Sequence, residues 1–348
     1  MGIITGSDFA PTSTYLNTAS CGLLPGRAVA AVQALAAENG AGRAGGAGEF
    51  GVWDAARRSF ARLVGVDHGR VACGGSVAVH TGLIAASLQP GAEVLFPEGE
   101  FSSIINPFVV RGDLKLRYVP LEDLAESIRP ATALVVYSAV QSADGRIADD
   151  TAVRAAAAAH GARTLNDATQ AAGWLPFDAS LYDYTVTGAF KWLLCPRGTS
   201  FLTVSEEAQE SLVPLHGGWL ASADSWNSTY GPLTELAADA RRFDEPPAFL
   251  AYHGAAESLA YLEEIGIDAV HAHDTALAAR CRAGLVALGH EPVPGTAPIV
   301  AVPGLADRGP ELSRAGIITA SRAGRLRASF HLYNTEADVD RLLDVLSG

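Results

Sequence analysis

Short runs of aliphatic and β-branched residues alternate with longer alanine-rich runs from position 70 to position 204, and no other feature of the chain restricts its fold as much. Strand-type segments occupy Arg70–Cys73, Glu93–Phe96, Lys115–Val119, Ala133–Tyr137, Arg163–Leu165, Tyr184–Thr187 and Thr199–Val204. Helical runs fall between them at Ser76–Leu88, Ser103–Val110, Leu121–Ile128 and Asp149–His160. Strands of about five residues separated by helical runs of about ten are not hairpins. They need crossover connections, and therefore a mostly parallel sheet with helices on both faces. Hydrophobic residues make up 49% of the 348, enough for the core that two covered faces demand and enough to exclude global disorder.

Two further helical runs, Arg27–Glu38 and Trp53–Val64, precede the alternation. It ends in an aperiodic stretch rich in Gly, Trp and Ser at Pro214–Pro232. Helical signals resume at Ala248–Ile265 and His271–Leu288, followed by a Pro-rich strand region at Glu291–Val302, a short helix and strand within Pro310–Thr319, and a strand at Arg325–Ser329. Thr335 and Asp338 predict a capping box at the start of a final amphipathic helix from Glu336. The pattern divides the chain into an N-terminal segment, 1–20, a large α/β domain, 21–235, and a smaller α+β domain, 236–348, on which the N-terminal segment packs.

With 25 Lys and Arg against 38 Asp and Glu, the formal net charge is −13. That balance opposes binding to a nucleic-acid backbone or an anionic membrane surface, but leaves room for a small anion held by a few arginines. The start has no basic region leading into a long apolar stretch, and runs such as Ala155–Ala159 are too short for a bilayer, so a cytoplasmic protein is expected. Cys21, Cys73, Cys195 and Cys281 are widely spaced and read as reduced thiols. Gly40-Ala-Gly-Arg-Ala-Gly45 matches a dinucleotide-binding fingerprint, yet a helix precedes it instead of a strand, so it reads as a surface loop. His271-Ala-His-Asp274 lies on a helix, where residues two apart diverge, and reads as a solvated face in place of a metal site.

Three segments fall just beyond strand ends, where α/β folds bind ligands. In Cys73-Gly-Gly-Ser76-Val-Ala-Val-His80, two glycines turn the backbone and Ser76 opens a helix whose free N–H groups suit a phosphate. In Thr164-Leu-Asn-Asp-Ala-Thr-Gln170, Asp167 ends an apolar strand, a place where a carboxylate needs a cationic partner or strong donors. Lys191 lies between Phe190 and Trp192, just past a strand, and is the only lysine after Lys115. Desolvation there lowers its pKa and makes the amine a nucleophile suited to a Schiff base.

A phosphate cradle, an aspartate and an apolar-flanked lysine in this order resemble the fold-type-I pyridoxal-phosphate enzymes, and specifically the class V aminotransferase family with its cysteine desulfurases and kynureninase. The resemblance runs from Tyr15-Leu-Asn-Thr-Ala-Ser20 to Arg325-Leu-Arg-Ala-Ser-Phe-His-Leu-Tyr-Asn-Thr335. It implies a large domain with a mostly parallel seven-stranded sheet, a smaller α+β domain, a homodimer and pyridoxal 5'-phosphate as cofactor. Lys191 would carry the cofactor and move protons. Asp167 would pair with the ring nitrogen, Gln170 with its phenolic oxygen, and Gly75 and Ser76 with the phosphate. Phe101 would stack on the ring, His80 would lie one turn beyond the phosphate, and Ser142 would take the place of the family's asparagine near the ring. Arg327 would bind the substrate α-carboxylate, with Asn17 nearby.

Departures from the pattern narrow the chemistry. Asp307–Arg325 contains no cysteine, which opposes desulfuration by persulfide transfer. Phe101 stands where desulfurases carry a histidine, and Phe190 where the family has His or Tyr. Arg241–Ala248 carries Pro-Pro where many relatives carry a threonine that reaches the partner subunit's phosphate. The resemblance then implies an aminotransferase acting on a small amino acid, with a carbon–sulfur Cβ-elimination lyase as the alternative and an inactive cofactor-binding sensor as a second one. Arg322 and Arg325 either flank the carboxylate site or are surface charges near a strand, and Trp219 and Trp226 either line a substrate entrance or simply pack; the second reading is preferred for each pair.

Overall fold

The computed structural model describes residues 8–246 and 248–348. The opening elements are β1 (Thr14–Tyr15), α1 (Gly26–Gly40) and α2 (Phe50–Leu63). The alternating region forms β2 (Val71–Gly74), α3 (Val77–Ser87), β3 (Glu93–Pro97), α4 (Ser102–Arg111), β4 (Lys115–Val119), β5 (Thr132–Ser138), α5 (Asp150–His160), β6 (Arg163–Asp167), β7 (Tyr184–Gly188) and β8 (Ser200–Val204). These seven strands make one sheet in the order β2-β8-β7-β6-β5-β3-β4. Only β8 runs against its neighbours; the β3–β4, β3–β5, β5–β6 and β6–β7 pairs are parallel.

Side-chain alternation along the strands divides the core between the two faces. Val94 and Phe96 of β3, with Leu134 and Val136 of β5, pack against Ile104 and Phe108 of α4. Leu95, Val135 and Tyr137, the intervening residues, pack against Val153 and Ala157 of α5. Local signals end the helices where the crossovers require it. Asp149 caps α5 by accepting from Ala152 N, and Gly161, at φ 70°, terminates it in the left-handed conformation that glycine adopts without a Cβ clash.

After a short turn, α6 (Glu206–Gln209), the irregular segment leads into α7 (Phe249–Ile265) and α8 (Ile267–Ala287). Then come β9 (Ile299–Pro303), α9 (Gly309–Arg314), β10 (Ile317–Ile318), β11 (Ala320–Arg322), β12 (Arg325–Ser329) and α10 (Glu336–Ser347). The strands β11-β12-β9 form a separate antiparallel sheet. β1 pairs with β10, and Asn17 bridges to Ser329, so the N-terminal segment lies against this sheet. Thr335 and Asp338 form the capping box at the start of α10. Residues 1–7 of the N-terminal segment and Pro247 of the Pro-Pro pair lie outside the described residues.

Two expectations are corrected. Leu121–Ile128 forms only a 3-10 turn, Leu121–Asp123, followed by irregular turns. Pro120 and Pro130 bracket the segment too closely for a stable helix, and Leu124 and Ile128 are buried from irregular backbone. The His271–Asp274 stretch of α8 is not a solvated face. Asp274 is fully buried and takes a hydrogen bond from His331 Nδ1 at 2.7 Å, while the His271 ring stacks on Trp174 with centroids 5.6 Å apart. No group of three or more His, Cys, Asp or Glu among the described residues is arranged to hold a metal. No helix among them is long and apolar enough to cross a membrane.

Candidate active site

Parallel strands deliver their carboxyl ends to one edge of the sheet, and the predicted residues collect there. Asp167 closes β6, Lys191 follows β7, Ser142 follows β5, Phe101 follows β3 and Ser76 follows β2. Asp167 is 4% exposed and accepts the Thr169 N–H at 2.8 Å, yet it forms no ion pair among the described residues. Burial raises its pKa, while Thr169 and Lys191 draw it back down. A carboxylate held this way is short of one cationic partner.

Lys191 is 5% exposed, and its Nζ stands 5.1 Å from the Phe101 ring centroid and 5.7 Å from that of Phe190. Burial lowers its pKa to about 8; Asp167 opposes this, and Arg327, Arg197 and Arg322 add to it. The lysine therefore spends part of its time as a free amine near neutral pH. Its loop is clamped from the stretch just before α1, where Gly22 N donates to Phe190 O at 2.9 Å. A Cβ on Gly22 would lie 2.1 Å from the Lys191 carbonyl oxygen, so only glycine permits this approach.

The cradle at α3 has Gly75 and Ser76 exposed, with the Ser76 hydroxyl accepting from Val79 N. The Gly75 N–H donates to Glu245 Oε2 at 2.6 Å, so a carboxylate oxygen already sits where an anion would be received. His80 lies under Gly74, bonded to Ser200 Oγ at 3.0 Å, and burial lowers its pKa to about 4. It is a neutral part of the cradle floor.

On the opposite side, Gln170 donates to Ala19 O at 3.0 Å and Ser142 Oγ at 2.9 Å, and accepts from Trp192 Nε1 at 2.8 Å. Both of its amide hydrogens are thus engaged. Arg327 is 1% exposed and donates to Ser142 O and, at 2.7 Å, to Ser20 Oγ. Its Nε and the Asn17 side-chain oxygen are buried without partners. Burial, and then Arg322, lower the Arg327 pKa to about 10.

Sequence reasoning missed Glu100, Glu245 and Ser20. Glu100 immediately precedes Phe101; it accepts the Ser138 N–H with Oε2 and buries Oε1 without a partner. Burial, and then Asp167, raise its pKa to about 7. Arg322, read as a surface charge, donates to Ser20 Oγ at 3.3 Å, beside Arg327.

The family model for class-V aminotransferases matches residues 51–303. The chain belongs to the class-V aminotransferase family. An uncharacterized Bacillus subtilis aminotransferase, YcbU, is 25% identical over 84% of this chain and 82% of its own. Isopenicillin N epimerase from Streptomyces clavuligerus is 28% identical over 85% of this chain and 83% of its own. Among solved structures, the cystine C–S lyase C-DES in complex with cysteine persulfide superposes with a TM-score of 0.87 at 22% identity, covering 97% of both chains; that likeness is one of fold. The protein is a pyridoxal-phosphate enzyme, and its residues fit the cofactor. There is a buried amine, a buried carboxylate short of a cation, and a backbone cradle already holding a carboxylate oxygen.

Proposed function

We propose that this enzyme is an aminotransferase acting on a small amino acid. Lys191 would hold the cofactor, Gly75 and Ser76 its phosphate and Asp167 its ring nitrogen. Bound there, pyridoxal phosphate supplies an electron sink for the pair left when the substrate α-proton departs. The Asp167 carboxylate keeps a proton on the ring nitrogen, which makes that sink effective. Arg327 receives the α-carboxylate and fixes the amino acid so that its Cα–H faces Lys191. Lys191 Nζ, freed as a neutral amine, would take the α-proton and carry it across to the cofactor side of the substrate nitrogen. The fully buried Trp192 segment shields Lys191 from water, with the partly exposed Phe101 at the open side of the site.

The observation that carries the reading is the pairing of Lys191 with Phe101. A hydrocarbon ring offers no proton, so Lys191 is left as the proton carrier. Transamination needs one such base, whereas epimerisation needs a base on each face and elimination is helped by an acid for the leaving group. The exposed Trp226 and Tyr230 support a homodimer as the working unit.

Lys115 and Lys191 are the chain's two lysines, which makes the test simple. The purified protein should be yellow, and borohydride reduction followed by peptide mapping should label Lys191. Without an oxo-acid acceptor, one equivalent of 2-oxo acid should form per site and the reaction should then stop. Continued release of ammonia and oxo acid without acceptor would refute transamination.

A further inference from the structure

The arginines around Ser20 are more numerous than one carboxylate requires. Ser20 Oγ accepts from Arg327 Nη2 at 2.7 Å and from Arg322 Nη2 at 3.3 Å, and its carbonyl accepts from Arg197 Nη2 at 3.5 Å. None of the three forms an ion pair among the described residues, although the chain carries 38 acidic residues. One neutral serine is the shared acceptor for three cations.

The hairpin geometry concentrates the charge further. Arg322 of β11 pairs directly with Arg325 of β12, and Arg327 lies two residues on, so all three are on the same face. Like charges opposite one another on a sheet face are destabilising. The turn that joins them holds Ala323 at φ 46° and Gly324 at φ 73°, both in the left-handed region, so the chain accepts some strain there too. Arg197 is braced by its guanidinium lying 4.3 Å from the Phe190 ring centroid. Burial separates the cations into two levels. Arg327 is buried beside Ser142, whereas Arg322 and Arg197 are exposed at the rim.

We propose that the preferred substrate is an amino acid whose side chain ends in a second anionic group, with its α-carboxylate on Arg327 and the distal anion on Arg322 and Arg197 beside Ser20. This rests on the reading of Lys191, Asp167 and Arg327 as the active site. The inner guanidinium serves every amino acid; the rim pair discriminates among side chains.

The test compares isosteric pairs on the holoenzyme: aspartate with asparagine and glutamate with glutamine, each titrated by the change in cofactor absorbance. Glutarate and butyrate serve as competitors that cannot react. The anionic member of at least one amino-acid pair should bind about tenfold more tightly, the scale of one charge-assisted hydrogen bond. Glutarate should compete better than butyrate, and the preference should shrink with added salt because the rim is exposed. Arg322→Gln and Arg197→Gln, both at surface positions, should each reduce the ratio. A yellow holoenzyme that responds to amino acids but binds both members of each pair within about twofold, or whose ratio survives both substitutions, overturns the inference and leaves the aminotransferase reading standing. A protein that forms no coloured complex refutes the reading beneath it.

Discussion

Arg57→Met should destabilise the fold by about 3–5 kcal/mol, because it leaves a buried carboxylate without its counter-charge. Arg57 on α2 is 4% exposed and Asp244 1%, and the two meet through paired contacts, Nη2 to Oδ2 at 2.5 Å and Nη1 to Oδ1 at 3.1 Å. Arg57 also donates to Val71 O, and Asp244 Oδ1 also accepts the Cys73 N–H at 2.8 Å. Removing the guanidinium leaves Asp244 with one donor and the Val71 carbonyl with none from this side chain. Asp244→Asn should cost a similar amount, by stranding the guanidinium. The double variant Arg57→Met with Asp244→Asn leaves no buried charge, so its loss should fall well short of the sum of the two. The pair also ties the cradle together: Glu245 N donates to Cys73 O at 3.0 Å, one residue beyond Asp244. Each single variant should therefore weaken cofactor binding as well. Urea unfolding of the cofactor-free proteins measures the energies, and absorbance titration with pyridoxal phosphate measures the affinities. Single-variant losses below about 1 kcal/mol, or strictly additive ones, would refute the argument.

Three other substitutions or conditions test the site. Glu245→Gln should tighten pyridoxal-phosphate binding about tenfold, since a neutral amide replaces a carboxylate competing for the Gly75 N–H; unchanged or weaker binding counts against a competing carboxylate. Glu100 has its pKa raised from 4.5 to about 7, so the folded state keeps its proton while the unfolded chain loses it, and stability falls as pH rises across that window. Glu100→Gln should abolish that fall, gaining about 3 kcal/mol relative to the parent at pH 8 and nothing at pH 4, by urea unfolding. Capture of pyridoxal phosphate by Lys191 should speed up about tenfold from pH 7 to pH 9, with a midpoint near 8, in stopped-flow absorbance; a flat profile would contradict the lowered lysine pKa.

The sheet was legible because each strand's identity is local: a run of about five residues rich in aliphatic and β-branched side chains, bounded by turn signals, suffices, and parallel pairing follows from the helices between. The reversed direction of β8 was not, because the sequence after Lys191 gives strand character without orientation. Lys191 stood out through scarcity, since a single lysine in an apolar segment has few structural uses. Glu100 gave no such signal. Glutamates are common in turns, and its burial depends on Ser138, which the chain supplies 38 residues later. For the rim arginines the sequence offered a place beside the carboxylate site for Arg322 but favoured the surface, and it gave no signal for Arg197. Arg322 looks like an ordinary surface charge until the hairpin brings it to Ser20, 302 residues away in the chain.

The lysine loop shows why a short motif is insufficient to build such a site. A reactive amine on a loop must be held as firmly as one on a helix if it is to meet a proton at a fixed distance. Four separate segments supply the holding. Gly22 N binds Phe190 O, Gln170 Oε1 takes Trp192 Nε1, His331 Nε2 bonds Trp192 O at 3.0 Å and Ser258 Oγ donates to Leu194 O at 2.7 Å. His331 is in turn fixed by Asp274. Both of its ring nitrogens are engaged, Nε2 with the Trp192 carbonyl and Nδ1 with the Asp274 carboxylate, so the ring cannot turn without losing a buried hydrogen bond. That fixed ring holds the Trp192 carbonyl, next to Lys191 in the chain, in place. The residues first read as a solvated helix face are thus the far end of the support for the reactive amine.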